Sequence, residues 1–133
     1  MFKILIKAEA RYPLDRKAIR DKVREVLHQH GLNDDVVLEI AVVGDRKMAA
    51  LNQKYRKQKG TTDVLSFPTL NYKNKEKETF VLPPDGLLHL GEIVISFPQA
   101  RRQAMLYNHT VDKEINILVE HGLLHLLGVN HDE

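Results

Sequence analysis

Apolar residues follow two different periods along this chain, and the changes of period mark its predicted elements. Alternating or β-branched apolar stretches predict four strands, at residues 2–8, 36–43, 63–67 and 90–97. Between the first two strands, one apolar stripe at helical spacing predicts a helix: Ala18, Ile19, Val23, Val26 and Leu27. Asp15 falls in its first turn and Gly31 ends it.

Three further helices are predicted downstream. The first follows Gly44-Asp45 and carries Met48, Leu51 and Tyr55 on one face. The next starts at residue 98 and runs to about 108, and the last is capped by Thr110. Apolar residues surround most of this last helix from 115 to 127, which predicts that it is buried in the core.

The order of these elements bounds the fold class. Strands alternate with helices and then give way to a helical C-terminal part, and the intervening stretches predict a charged loop at 71–78 and a turn at 83–86. No linker or repeat interrupts residues 1–133. We therefore expect one α/β or α+β domain with a small sheet of about four strands.

Composition narrows the chemistry. The 133 residues include no cysteine, which excludes disulfides, thiol nucleophiles and thiolate metal ligands and suits a cytoplasmic protein. The apolar N-terminus lacks a small-residue cleavage site and is interpreted as a strand, and no apolar run approaches the roughly 20 residues of a membrane span. A net charge of +2 neither requires nor excludes a nucleic-acid partner.

Three of the seven histidines lie in the C-terminal stretch HGLLHLLGVNHDE. His121 and His125 are one helical turn apart on one face, about 6 Å along the axis, so both rings can reach one ion. Gly128 can then turn the chain and return His131 as a third ligand. Three imidazoles would leave the fourth position of a zinc ion to water, as in catalytic sites.

The alternative is that these are core histidines bonded to backbone carbonyls. For three rings in this spacing, a metal is the better interpretation, because burying unpaired imidazoles among leucines is costly. One Zn²⁺ is the first choice, although nickel, copper or iron would suit the same donors. A zinc protease of the usual kind is disfavoured, since its motif has a glutamate after the first histidine and this chain has Gly122.

Four blocks of sequence together resemble the YbeY family of bacterial endoribonucleases: Leu51-Asn52 with Tyr55-Arg56, TDVLSFP at 62–68, LGEI at 90–93, and the histidine block at 121–131. The resemblance implies a small mixed sheet with several helices and a C-terminal metal-binding helix. It implies zinc on His121, His125 and His131 and an arginine, Arg56, that lines the cleft.

The resemblance also implies a function. Family members are metal-dependent endoribonucleases that select single-stranded RNA and act in rRNA maturation, at the 3′ end of the small-subunit RNA, and in ribosome quality control. Two departures from the family pattern stand out: Asn130 replaces an aspartate before the third histidine, and the family pattern continues beyond the position of Glu133.

Several other residues are candidates to meet RNA or to support the site. Lys54, Lys57 and Lys59 surround Arg56 and would neutralise phosphates, although a solvated helix end is by itself the better explanation for them. The exposed pair Arg101-Arg102 is a weaker candidate. Ser66 is expected to be a structural or cleft-wall residue that contacts the substrate and not a nucleophile. The other expectations are core packing for Tyr55, a brace or cap of the cleft loop for Asp63, and support of the metal for Glu92. Surface or loop positions are expected for His28, His30, His89 and His109.

The mechanism that follows is phosphodiester cleavage at a one-metal site, with Arg56 holding the phosphate. Metal-activated water or the RNA 2′-hydroxyl would attack, because no carboxylate base lies in the motif. Two alternatives remain open. One is a non-catalytic ribosome-assembly factor that binds RNA and holds a structural metal. The other is a metallohydrolase for a small phosphodiester.

Overall fold

A computed structural model describes residues 2–32, 35–69, 73–74, 79–80 and 86–129. The strands are β1 Phe2–Ala8, β2 Val36–Val43, β3 Val64–Pro68, β4 Lys73–Asn74, β5 Thr79–Phe80 and β6 Leu88–Ser96. The helices are α1 Arg16–Gln29, α2 Asp45–Arg56, α3 Phe97–Tyr107 and α4 Val111–Leu126. The four predicted strands and four predicted helices are all present, which confirms the α+β class.

The main sheet is mixed and has the order β1-β2-β6-β3. Strands β1, β2 and β6 are parallel, and β3 pairs antiparallel with β6 at the sheet edge. The parallel β1–β2 pair needs a crossover connection, which α1 provides. The order makes β6 a central strand and leaves β3 as an edge strand beside α4.

The predicted loop at 71–78 is partly wrong. Lys73–Asn74 and Thr79–Phe80 form a two-stranded antiparallel sheet. Two-residue strands satisfy one another's backbone groups regardless of side-chain pattern, so a charged sequence gives no signal for them.

The core lies between one face of the sheet and helices α1 and α4. Leu38, Ile40 and Ile93 of the sheet and Leu27 and Leu123 of the helices are fully buried. The predicted burial of α4 is confirmed along the stripe formed by Ile115, Leu118, Val119, Gly122, Leu123 and Leu126. A smaller cluster (Val43, Met48, Leu65 and Val94) lies on the opposite face of the sheet, beneath α2.

Side-chain caps fix where three helices begin. Thr110 Oγ1 accepts from Lys113 N at 3.1 Å, which confirms the predicted cap of α4. Asp15 Oδ1 accepts from Ala18 N at 3.0 Å, so Asp15 is the cap of α1 and precedes the first turn in which the sequence analysis put it. Ser96 caps α3 in the same way.

A bulge in β6 sets the approach of β3. The pairing shifts from Val37 opposite His89 to Leu38 opposite Gly91, so Leu90 is an extra residue. Gly91 has a φ of +135°, and a Cβ at this position would overlap the carbonyl oxygen of Phe67. Only glycine therefore allows β3 to lie this close to β6.

No helix among the described residues is long and apolar enough to cross a membrane.

Candidate active site

A cleft of about 690 Å³ lies where α2, β3 and α4 meet. The end of α2 contributes Tyr55 and Arg56, and the strand β3 and the loop before it contribute Asp63, Ser66 and Phe67. The C-terminal half of α4 contributes His121 and His125. Residues that are up to 70 positions apart in sequence thus line one surface.

His121 and His125 approach each other closely across one turn of α4. Their Nε2 atoms are 3.2 Å apart, and their ring centroids are 4.8 Å apart. Two imidazole nitrogens bound at about 2.0–2.1 Å to one tetrahedral zinc ion would be about 3.3–3.4 Å apart. The separation of the two Nε2 atoms therefore matches that of two zinc ligands, and it also matches a hydrogen bond between the rings.

Both histidine side chains are exposed, which corrects the sequence analysis. Ile117, His121 and His125 follow one another at four-residue intervals and form the exposed stripe of α4, whereas Leu118, Val119 and Leu123 face the core. The cost of burying imidazoles among leucines is therefore not an argument for a metal. The convergence of the two nitrogens at the cleft is the argument that remains.

The turn predicted at Gly128 is present. Gly128 has a φ of +84°, and the amides of Gly128 and Val129 donate to the carbonyls of His125 and Leu124 at 3.0 and 2.9 Å. His131 lies outside the described residues. Within the described part of the chain, no group of three histidine, aspartate or glutamate side chains is close enough to hold a metal.

Gly122 faces the sheet and not the cleft. A Cβ there would lie 2.8 Å from Ile93 Cγ2 and 3.1 Å from Ser66 Oγ. Ser66 Oγ donates a hydrogen bond to the Gly122 carbonyl at 3.1 Å. The position that carries the glutamate in zinc proteases is therefore filled by the close packing of α4 on β3 and β6, and Ser66 joins the strand to the helix.

Arg56 is the last residue of α2, and its exposed side chain lies at the cleft. Lys57 follows it in the left-handed conformation, with a φ of 59°, and its amide donates to the Gln53 carbonyl at 3.2 Å. The chain therefore turns sharply after Arg56 and returns along the cleft into β3.

Asn52 holds this turn and was not singled out for any role from the sequence. Its buried Nδ2 donates to the Gly60 carbonyl at 3.0 Å, and its own carbonyl accepts from Gln58 N at 3.4 Å. Asn52 Oδ1 has no hydrogen-bond partner in the described structure. A usable signal exists in the sequence: Asn52 is four residues after Met48, so a polar side chain lies on the apolar stripe of α2.

The predicted lysines lie beside the cleft and do not line it. Lys54, Lys57 and Lys59 are all exposed, and Lys54 Nζ is 5.0 Å from the centroid of the Tyr55 ring. Tyr55 is 53% exposed, so its expected place in the core is wrong. Its ring makes an edge contact with the Phe67 ring at a centroid distance of 5.0 Å, and about half of the residue stays exposed.

Of the roles predicted for the two acidic residues, that of Asp63 agrees with the structure and that of Glu92 does not. Asp63 braces the cleft loop as expected, since its Oδ1 accepts from Val64 N at 2.7 Å and its carbonyl accepts from Ser96 N at 2.9 Å. Glu92 cannot support the histidines, because Ile93 faces α4 and the neighbouring Glu92 faces the opposite side of the sheet.

The four remaining histidines divide into two groups. His28 and His30 are exposed, as expected. His89 is half-buried on β6, which does not fit the expected surface or loop position. His109 lies in the loop between α3 and α4, as expected, and its Nε2 lies 2.6 Å from Oε1 of Glu114, which is only 3% exposed. Gln103 Nε2 donates to the other carboxylate oxygen of Glu114 at 2.7 Å, which joins α3 to α4.

Asp45, the first residue of α2, connects the cleft loop to α3. Its Oδ1 accepts hydrogen bonds from Arg102 at 3.0 Å, Ser96 at 3.0 Å and Thr61 at 3.3 Å. The hydrogen bond from Arg102, followed by those from Ser96 and Thr61, lowers the pKa of the Asp45 carboxyl despite its partial burial. This pairing favours a structural role for Arg102 over RNA contact.

Comparison with known proteins identifies relatives along nearly the whole chain. Residues 5–133 match the family model described as Endoribonuclease YbeY. Endoribonuclease YbeY of Dehalococcoides mccartyi (strain CBDB1) is 37% identical over 134 residues, covering 98% of this chain and 80% of that protein. The Caldicellulosiruptor saccharolyticus protein of the same name is 35% identical over 135 residues, covering 98% and 85%.

A solved structure has the same fold. The solution structure of TM1509 from Thermotoga maritima aligns with a TM-score of 0.59 and 27% sequence identity. The alignment covers 97% of this chain and 75% of that one.

Proposed function

Because the chain belongs to the YbeY endoribonuclease family, we propose that it is a zinc-dependent endoribonuclease that cleaves single-stranded RNA during rRNA maturation. The observation that carries the proposal is the 3.2 Å separation of the His121 and His125 Nε2 atoms in the cleft that Arg56 also lines. A bidentate phosphate ligand beside a pair of convergent imidazoles is suited to a phosphodiester.

His121 and His125 would hold the zinc ion, with His131 as the proposed third ligand. When bound, zinc supplies Lewis acidity and lowers the pKa of a water molecule at the reacting phosphate. The alternative metals named for the same donors differ in geometry preference, and metal analysis of the purified protein separates them.

Arg56 would bind the phosphate and offset the charge that develops as the bond breaks. Its guanidinium can donate two parallel hydrogen bonds to phosphate oxygens, and its position at the end of α2 is held through Asn52 and the turn at Lys57. Lys54, Lys57 and Lys59 would contact flanking phosphates outside the cleft, and Ser66 would maintain the contact between β3 and α4.

Selection of single strands would depend on the exposed face of Tyr55. An unpaired base can stack on a tyrosine ring, whereas both faces of a base in a duplex are covered by its neighbours. The ring of Tyr55 is already held edge-on by Phe67, so little conformational freedom is lost on stacking.

The nucleophile would be water or the RNA 2′-hydroxyl. Among the described residues of the cleft, Asp63 is the one carboxylate, and its Oδ1 is occupied by the Val64 amide at 2.7 Å. A side-chain base therefore has little support. Analysis of the product ends separates the two routes, because water can leave a 5′-phosphate and 2′-hydroxyl attack leaves a cyclic phosphate.

The test combines metal analysis with an RNA assay. Purified protein is expected to contain about one zinc per chain and to cleave single-stranded RNA in preference to a duplex of the same sequence. The double variant His121→Ala, His125→Ala should lose both properties, while His30→Ala, on the exposed end of α1, should keep them. Undiminished cleavage by the double variant would refute the mechanism, and binding without cleavage by zinc-loaded wild type would favour an assembly factor.

The cellular part of the proposal concerns the 3′ end of the small-subunit rRNA and ribosome quality control in the cytoplasm. Cells that lack the protein are expected to accumulate 3′-extended small-subunit rRNA. The wild-type gene should restore the mature end and the double histidine variant should not. Normal 3′ ends of the small-subunit rRNA in the deletion strain would refute the proposed role in rRNA maturation. The proposed ribonuclease activity, which the RNA assay tests, would be unaffected.

A further inference from the structure

A second cavity, of about 360 Å³, lies on the opposite face of the sheet from α4. Leu51 and Tyr55 of α2, Phe67 of β3 and Val94 of β6 form apolar walls, and Lys47 and Glu92 add one charge of each sign. We call it the guanine cavity, for the ligand argued below. Neither His121 nor His125 lines it.

The guanine cavity adjoins the cleft. Tyr55 and Phe67 line both, and their rings are in edge contact at 5.0 Å, so this aromatic pair forms the wall that the two spaces share. A chain molecule lying in the cleft can therefore place one substituent past the edge strand β3 and into the second cavity. This adjacency is what connects the cavity to an RNA substrate.

The floor of the cavity is a packed apolar cluster. Val43, Met48, Leu65 and Val94 are buried together beneath it, with Leu51 and Phe67 packed against them. A flat apolar wall and a packed floor suit an aromatic ring, and a volume of about 360 Å³ is large enough for a purine.

The two charged residues of the cavity, Glu92 and Lys47, indicate which base would bind there. Glu92 is half-buried, and no other described residue forms an ion pair or hydrogen bond with its carboxylate. An ionised carboxylate only accepts hydrogen bonds, and the Watson–Crick edge of guanine offers two adjacent donors, N1–H and the N2 amine, to one carboxylate. Uracil presents one donor between two acceptors, which the same carboxylate would repel. The ammonium of Lys47, at the same cavity, suits the guanine O6.

We propose that this cavity binds a guanine base of the RNA, unstacked from the strand, and gives the cleavage reaction a base preference. The inference rests on the proposed ribonuclease activity and names a specificity determinant for it. An extruded base is available in a single strand without the loss of pairing that a duplex would require.

The first test varies one nucleotide. Single-stranded oligoribonucleotides with one guanosine in a uridine context are expected to be cleaved mainly at a fixed distance from that guanosine. Replacing guanosine by inosine removes the N2 amine and should slow this cleavage about tenfold. Replacing it by 7-deazaguanosine, which changes only the opposite edge, should leave the rate within twofold. Equal rates for guanosine, inosine and uridine would overturn the proposal.

The second test changes the protein. Glu92→Gln exchanges one acceptor for a donor, so the ratio of guanosine-directed to uridine-directed cleavage should fall at least tenfold. Glu39→Gln is the matched control, because Glu39 is directly opposite Glu92 on β2 but is paired with Lys7 at 3.2 Å. An unchanged ratio in Glu92→Gln, or an equal loss in both variants, contradicts the assignment.

A binding measurement separates this inference from the enzymatic proposal. In NMR titrations of the wild-type protein, 5′-GMP should shift the amide signals of Leu51, Phe67 and Glu92 more than 5′-UMP does, and Glu92→Gln should abolish the difference. RNA cleavage with no such shifts leaves the nuclease intact and removes the guanine cavity. Guanine-specific shifts without RNA cleavage do the reverse. Shifts of these signals by a basic peptide but by neither nucleotide would identify a protein interface instead.

Discussion

The Ser66 hydroxyl donates to the Gly122 carbonyl at 3.1 Å across 56 positions of sequence, and this bond joins the edge strand β3 to the helix that carries the cleft histidines. Because Gly122 is a buried residue, the bond contributes more than its solvent-exposed counterpart would. The distance between Arg56 and the histidines therefore depends on a contact that belongs to neither.

Ser66→Ala is expected to lower the free energy of unfolding by about 1 kcal/mol, since one hydrogen bond is lost and little volume is removed. Urea denaturation followed by circular dichroism measures the change. Thr69→Ala, at an exposed position just beyond β3, is the control and should change stability by less than about 0.5 kcal/mol. Equal stabilities of Ser66→Ala and wild type would show that the hydroxyl is bonded to water instead.

Gly122→Ala should be destabilising even though alanine is the better helix former. The helix propensity favours alanine by about 1 kcal/mol, but the added Cβ would lie 2.8 Å from Ile93 Cγ2, and overpacking costs about 1–3 kcal/mol. We expect a net loss of about 1 kcal/mol in urea denaturation.

A double-mutant cycle with Ile93→Ala tests the cause of that loss. Ile93→Ala alone destabilises by removing a buried side chain. In its presence Gly122→Ala should become neutral or stabilising, because the colliding methyl groups are gone. A stabilising Gly122→Ala in the wild-type background would mean that α4 moves away from the sheet at little cost.

The helix α4 illustrates what the sequence predicts and what it leaves undetermined. Four-residue spacing was enough to predict that His121 and His125 share a face, since helix geometry is local. It was not enough to predict that this face is exposed. Apolar residues lie almost all round the helix, so their spacing does not identify which face is buried. Exposure depends on which side of α4 packs against the sheet, and Gly122, whose missing side chain leaves room for Ile93 of β6, lies on that side.

In the sheet, too, the local structure was predictable from the sequence and the tertiary arrangement was not. Each strand was predicted from its local pattern, but the order β1-β2-β6-β3 depends on pairing between distant segments and on a bulge at Leu90 that only glycine at 91 permits. The predicted role of Glu92 beside the metal was wrong for this reason. Side-chain alternation along a strand shows that Glu92 and Ile93 face opposite sides of the sheet, but only tertiary packing determines which of the two sides contacts α4.

Asp45→Asn should lower stability by about 1 kcal/mol at neutral pH, because it weakens the hydrogen bonds from Arg102, Ser96 and Thr61. The folded-state pKa of Asp45 is lowered, so its contribution is complete above the unfolded-state pKa near 4 and is lost as the pH falls through the folded-state value. The difference between wild type and Asp45→Asn should therefore be largest above about pH 5 and should shrink towards pH 3.

Chemical denaturation at several pH values measures this difference directly. Subtracting the variant from the wild type removes the effect of the other carboxyls, which titrate in both proteins. Arg102→Gln should reproduce most of the loss, since it removes the first cause of the pKa shift. A difference that stays constant down to pH 3 would mean that the carboxylate charge contributes nothing.

Zinc should raise the melting temperature of the wild-type protein by roughly 5–10 °C at a free concentration about 100-fold above its dissociation constant, because a ligand that binds only the folded state stabilises it. Differential scanning fluorimetry with and without a chelator measures the shift. His121→Ala, His125→Ala should show no shift, and His30→Ala should show the full one. A shift that survives loss of both cleft histidines would locate the stabilising zinc ion elsewhere.

Arg56 and Lys59 should affect RNA cleavage in different ways, although both are exposed cations near the end of α2. Arg56 lines the cleft, so Arg56→Ala should lower kcat by about 100-fold or more by removing donors to the reacting phosphate. Arg56→Lys keeps the charge but not the paired donors, and we expect an intermediate kcat.

Lys59→Ala should instead weaken RNA binding and reduce the slope of log affinity against log salt by about 1, with little change in kcat. Single-turnover cleavage and binding titrations at several salt concentrations separate these effects. If Arg56→Ala changed only the salt slope, Arg56 would be a general phosphate contact, and stabilisation of the transition state would have to come from the histidine site alone.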